Sequence, residues 1–234
     1  MQGCGPKNSG PENWAGTTQG SLELDLAGKK WVIAKAGSLE ELWDKMTGDS
    51  PRDEDFIPYW AEVWPASKVL AAHIVRCRKF LSGRTCLDLG CGLGVTSLVA
   101  GSLGARVVAM DIQFPALVFA GKNAVLNKVA FLSRVCMDWR KPAFKPQTFD
   151  IIWAADILYE TRFCKPLAAL MKQCLKPGGK IWIADPERNL SPKIWESFQE
   201  SGFLVNEISR EEAWLDSSRA SVRLLELTPG HRWS

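Results

Sequence analysis

The chain has 234 residues, 46% apolar and 24% charged, which fits one globular domain with a small extension and excludes wholesale disorder, collagen and arrays of short repeats. Its net charge of +3 argues for neither nucleic acid nor membrane as partner, although the balance shifts from 6 basic and 10 acidic residues up to Asp55 to 23 and 16 from Phe56 onward. Seven cysteines without a C-x-x-C pair, two histidines far apart and no 18-residue apolar run point to free thiols in a reducing cytoplasm, with no metal site, signal peptide or membrane span. The unusual count is eleven Trp against two Tyr.

Residues 1–20 read as a flexible tail with too few apolar groups to order. Leu22 to Leu26 alternates, Ala27 to Lys30 offers a turn and Trp31 to Ala34 resumes, which predicts a β-hairpin. Ser38 followed by Glu41 resembles a capping box for a short helix through Leu39, Leu42, Trp43 and Met46, closed by Gly48. The acidic run from Asp49 to Asp55 is the expected joint, so residues 21–55 form a hairpin-helix extension and 56–234 the main domain.

From about Ala66, strand and helix patterns alternate. Strands are expected at 85–89, 107–110, 135–137, 150–155 and 180–184, with helices near 66–79, 95–103, 115–127, 163–175 and 192–200. Two runs without an intervening helix, 203–208 and 221–227, predict a closing antiparallel pair. The fold class is α/β: a mostly parallel sheet with helices on both faces.

The strongest local signal is Cys86-Leu87-Asp88-Leu89-Gly90-Cys91-Gly92-Leu93-Gly94, where the first of these strands passes into a helix. Glycine suits a turn that backbone must make close to a ligand, and tight-turn packing alone also explains it. A dinucleotide fingerprint needs its third glycine at position 95, which is Val95, so NAD is disfavoured. Asp111 ends the next strand, where a carboxylate accepts from both hydroxyls of a ribose; capping the helix at Pro115 is the simpler alternative.

Asp88 to Gly94, Asp111 and the late strand pair together resemble the seven-strand, Rossmann-like class I of S-adenosylmethionine-dependent methyltransferases, over roughly Trp60 to Leu227. Three further motifs are similar to the methyltransferase family 16 group, which includes D-x-x-Y protein-lysine methyltransferases: Pro58-Tyr59-Trp60-Ala61-Glu62-Val63-Trp64, Asp138-Trp139, and Ala155-Asp156-Ile157-Leu158-Tyr159. The resemblance implies S-adenosylmethionine as cofactor, contacted by Trp64, Gly90, Cys91, Gly92, Asp111, Trp139 and Ala155, with Asp88 inside the same motif.

Elementary chemistry agrees with that transfer. Asp138 is able to accept from an adenine amino group and Trp139 to cover the ring. Trp60 and Trp64, four apart, share a face if both open a helix, and that face suits either core or site; Glu62 lies on another face. Asp156 ends a central strand, where open α/β sheets bind ligands, and is placed to orient an incoming ammonium while Tyr159 shapes the acceptor channel. Turn capping by Asp156 and packing by Tyr159 are the competing readings. Asp185-Pro186-Glu187-Arg188 reads as an ordinary turn, or as a border of the acceptor site.

The function expected is an N-methyltransferase acting on a protein lysine. Its rivals are a small-molecule N-methyltransferase and a cofactor-binding module without turnover. The tryptophans then divide: Trp60, Trp64 and Trp139 at the site, Trp153 and Trp182 in buried strands, Trp31, Trp43, Trp195 and Trp214 in packing, and Trp14 and Trp233 unplaced.

Overall fold

The computed structural model describes residues 20–26, 28–47, 57–130, 132–189, 191–215 and 218–230. Residues 1–19 of the expected tail, with Cys4 and Trp14, lie outside them, as do Gly48, the acidic joint, His231 and Trp233, whereas Gly20 is described. β1 (Gly20–Leu26) and β2 (Lys29–Lys35) pair antiparallel as a sheet of their own. α1 (Leu39–Thr47) opens on the expected capping box: Ser38 N donates to Glu41 Oε2 and Glu41 N to Ser38 Oγ, both at 3.2 Å.

The main sheet contains β3 (Thr85–Leu89), β4 (Arg106–Asp111), β5 (Leu132–Cys136), β6 (Phe149–Ala155), β7 (Leu175–Pro186), β8 (Phe203–Leu215) and β9 (Ser218–Pro229) in the order β5-β4-β3-β6-β7-β9-β8. The first five run parallel, and β9 is antiparallel to both neighbours. The helices are α2 (Pro65–Arg76), α3 (Arg78–Leu81), α4 (Val95–Ser102), α5 (Phe114–Leu126), α6 (Cys164–Cys174) and α7 (Ser191–Glu200).

Both faces of the sheet are covered, which is why its central strands are apolar throughout instead of alternating. In β6, Ile151 and Trp153 join one buried cluster with Leu70, Leu98 and Phe119 of α2, α4 and α5. Ile152 and Ala154 point the other way, into a cluster with Leu167 of α6 and Phe198 of α7. The edge strands differ from expectation for the same reason. β5 begins at Leu132, ahead of the predicted 135, because Ser133 and Arg134 are exposed at the sheet edge and hide the strand pattern. β8 continues seven residues past Ile208 through a charged stretch whose groups pair across the hairpin, as in Arg219 Nε to Glu212 Oε2 at 2.8 Å. Trp214, expected to pack, is 56% exposed there.

The hairpin docks on α5 through two asparagines one turn apart. Asn123 Oδ1 accepts from Ala34 N at 2.7 Å, and Asn127 Oδ1 accepts from Val32 N at 3.0 Å. Asn127 Nδ2 also donates to Val32 O at 2.8 Å, so the helix presents amides where a third strand would present backbone. Asn123 Nδ2 donates to Leu93 O at 3.0 Å and thereby links hairpin and glycine turn.

Candidate active site

The strand order reverses direction between β3 and β6, which leaves a crevice at their carboxyl ends. A cavity of about 110 Å³ lies there, and every candidate residue except Asp138 lines it. Its floor is the turn after β3. Gly90 has φ of +66°, and a Cβ would sit 2.8 Å from Ile157 Cγ2; Gly92 has φ of +50°, with a Cβ 3.3 Å from Trp60 O. Any side chain at either position is therefore strained and crowds the cavity. Cys91 N donates to Met110 O at 2.9 Å, fixing the turn to β4, and burial pushes the Cys91 thiol well above its usual range, so it is a neutral wall.

Two acids stand behind the turn in different roles. Asp88 is buried and accepts from Thr96 Oγ1 at 2.5 Å and Ser97 Oγ at 2.6 Å, so it anchors the first turn of α4. Burial raises its carboxyl pKa against these hydroxyl donors. Asp111 accepts from Gly92 N at 3.0 Å through Oδ2 and from Gln113 N at 2.9 Å through Oδ1. Those bonds use two of roughly four acceptor positions of a carboxylate, leaving capacity for two hydroxyls. Burial pushes the Asp111 carboxyl up to about 6, opposed by the two backbone N–H groups.

The walls are aromatic. Trp139 lines the cavity and meets Phe163 in a T-shaped contact at 5.2 Å; Phe163 meets Tyr159 at 5.5 Å, and Tyr159 meets Tyr59 at 5.5 Å. Trp64 continues this chain of rings, 6.0 Å from Tyr59, and donates Nε1 to Tyr59 O at 2.7 Å. Trp60 and Trp64 do not share a helical face: Trp60 lies in a 3-10 turn (Tyr59–Ala61) and Trp64 is the extended residue capping α2, because Pro65 sets the first helical position. Trp60 is at once core, 5.7 Å from Phe119, and cavity lining. Glu62, expected on another helix face, forms an ion pair with Lys35 of the hairpin. Asp138 accepts from Arg140 Nε at 2.8 Å and Arg140 N at 2.8 Å, outside the cavity.

Ala155 ends β6 and Asp156 follows it with φ of +58°, a left-handed conformation uncommon for a residue with a side chain. Asp156 N donates to Ala184 O at 3.0 Å, and its carboxylate, 5% exposed, binds Arg188 through Oδ1. Burial raises its carboxyl pKa while the Arg188 guanidinium opposes the rise. Asp185-Pro186-Glu187-Arg188 is thus more than an ordinary turn. Sequence reasoning also passed over Tyr59, Gln113 and Ile157 as cavity residues. Tyr59 and Ile157 stood inside quoted motifs; Gln113, whose Nε2 donates to Ile57 O at 3.0 Å, carried no signal.

The described cysteines are free, and no helix among the described residues is long and apolar enough to cross a membrane.

Residues 87–183 match the family model described as a methyltransferase domain. The chain is 32% identical over 133 residues to the electron transfer flavoprotein beta subunit lysine methyltransferase of Danio rerio, covering 56% of this chain and 51% of that protein. It is 28% identical over 115 residues to the ubiquinone biosynthesis O-methyltransferase of Paraburkholderia xenovorans, covering 49% and 50%. The chain thus spans about half the length of these curated relatives. Its fold is that of the ribosomal protein L11 methylase of Lactobacillus delbrueckii subsp. bulgaricus, with a TM-score of 0.56 at 22% identity over 69% of this chain and 77% of that one.

Proposed function

We propose that the chain is a class I, seven-strand S-adenosylmethionine-dependent methyltransferase and that it methylates the side-chain amine of a lysine in a protein. Its methyl donor is S-adenosylmethionine, which when bound supplies an electrophilic sulfonium methyl group. The residues fit that donor: a turn with no room for Cβ atoms at Gly90 and Gly92, a carboxylate with spare acceptor capacity at Asp111, and an indole ring on the cavity wall at Trp139. In this reading Asp111 holds the ribose, Trp139 and Trp64 cover apolar faces, Cys91 and Ala155 line the walls, and Asp88 keeps the turn in place from behind. Asp138, paired with Arg140, reaches a ligand only by turning from that partner.

The observation that carries the acceptor assignment is the nearly buried Asp156 on the cavity wall, followed three residues later by Tyr159 within a chain of aromatic rings. A lysine amine titrates near about 10.4 and must shed a proton to become a nucleophile. Asp156 orients the ammonium as it enters, and the aromatic wall excludes water and lowers the amine pKa by desolvation. Tyr159 and Tyr59 narrow the channel to an unbranched side chain. The sequence relatives include proteins named as lysine and ribosomal protein L11 methyltransferases, which favours a protein acceptor. Residues 21–55 belong in this reading to an extension of the domain that starts at 56, supported by the Asn123 and Asn127 bonds to β2.

Tritiated S-adenosylmethionine incubated with the enzyme and cell extract tests the assignment. A discrete labelled protein band supports it; a low-mass labelled product establishes a small-molecule methyltransferase, and no transfer at all establishes a binding module. Asp156→Ala should abolish labelling while S-adenosylhomocysteine still binds, and unchanged turnover in that variant removes Asp156 from the mechanism.

A further inference from the structure

Two buried acids meet one guanidinium beside the acceptor wall. Asp185, at the end of β7, is 1% exposed and Asp156 is 5% exposed, and Arg188 binds both: Nη2 to Asp156 Oδ1, Nη1 to Asp185 Oδ1 at 3.4 Å. Arg188 is itself held, since its backbone N donates to Ser191 Oγ at 3.0 Å and its carbonyl accepts from Ser191 N at 2.9 Å, at the start of α7. Asp156 lines the cavity, whereas Asp185 and Arg188 do not. The guanidinium therefore reaches Asp156 from behind the wall. It engages one oxygen, and the other makes no hydrogen bond among the described residues.

We propose that Arg188 is a positioning residue for the acceptor, which, anchored on Asp185, holds Oδ1 of Asp156 and leaves Oδ2 for the incoming lysine nitrogen. Two physical effects require such a support. A carboxylate nearly out of water favours its neutral form, and a neutral acid orients an ammonium poorly; a cation in contact opposes that bias. The bond to Oδ1 also restrains the turning of the carboxylate, which sits on the left-handed backbone of Asp156. With both acids ionised the arrangement has a net charge of −1, which burial opposes by pushing Asp185 up to about 7, and it is neutral once an ammonium is bound, which selects a cationic side chain over a neutral hydroxyl or amide. This rests on the reading of Asp156 as the group that orients the acceptor.

The test reads Asp156 directly. In protein carrying 13C at Asp side-chain carboxyls, the Asp156 signal is identified by its loss in Asp156→Asn and titrated with pH. The other charged groups around it are Arg188, Asp185 and, beyond Asp185, Arg223 of β9, which pairs with Glu207 of β8. Arg188→Gln should raise the Asp156 midpoint by about one pH unit or more, as removal of a contacting opposite charge does, and Arg188→Lys, which keeps the charge, should restore part of the shift. The acidic limb of kcat/KM for the labelled protein should move with it, while S-adenosylhomocysteine affinity stays constant. An unmoved midpoint in Arg188→Gln overturns the proposal whether or not proteins are methylated. A moved midpoint with no protein labelled by the wild type overturns the lysine reading and leaves the support of Asp156 by Arg188 standing.

Discussion

Replacing Asp111 separates its proposed work on the cofactor from its work on the fold. Its carboxylate accepts Gly92 N at 3.0 Å and Gln113 N at 2.9 Å, one through each oxygen. Two ribose hydroxyls would add two bonds to a charged acceptor, at about 1.5–3 kcal/mol each, so Asp111→Ala should weaken S-adenosylhomocysteine binding by about 10²–10⁴-fold. Asp111→Asn is subtler, because its single oxygen serves one backbone donor while its amide N–H₂ faces the other. The folded carboxyl titrates at about 6, above its ordinary 3.8, so its contribution to stability is full below 3.8 and is lost as pH rises through 6. At pH 7.5 the variant therefore sheds a buried charge, which offsets the lost hydrogen bond, and the protein stays folded. Ligand binding runs the other way. At pH 5 only about a tenth of the carboxyls are ionised, so wild-type affinity should fall about tenfold between pH 7.5 and pH 5. Isothermal titration calorimetry with S-adenosylhomocysteine at both pH values, in wild type and Asp111→Asn, measures this. Affinity in Asp111→Ala within about threefold of wild type, or the same pH slope in Asp111→Asn as in wild type, refutes the ribose assignment.

Gly90→Val places a branched side chain where even a Cβ is 2.8 Å from Ile157 Cγ2, and should abolish cofactor binding in calorimetry while far-ultraviolet circular dichroism stays native. Trp139 faces the cavity, so saturating S-adenosylhomocysteine should quench tryptophan fluorescence; Trp139→Phe should remove most of the response, and an undiminished response excludes Trp139 from the cofactor wall. Asn123→Ala strands the buried Ala34 N–H and Leu93 C=O, and should lower stability by about 2–4 kcal/mol in urea unfolding. The same variant should speed amide exchange in β2 ahead of the main sheet, because it cuts the contact that docks the hairpin.

The sequence by itself determined the sheet, because a strand buried on both faces is mostly apolar on both: Thr85 to Leu89 and Asp150 to Ala155 read as strands without help from any partner. It also determined the tight turn after β3, since the need for residues without a side chain is written directly as Gly90 and Gly92, and it divided the tryptophans well enough to find Trp153 and Trp182 in the core. The full extents of the edge strands escaped it, because Ser133 and Arg134 of β5 face solvent together and the charged run of β8 after Ile208 resembles a loop. Only the tertiary structure decided how distant polar groups are spent. Lys35 is paired with Glu62, Asn123 joins the hairpin to the glycine turn, and Arg188 stands behind Asp156. Such pairings leave no period in the sequence, because their partners meet only when the sheet order brings separate strand ends to one edge.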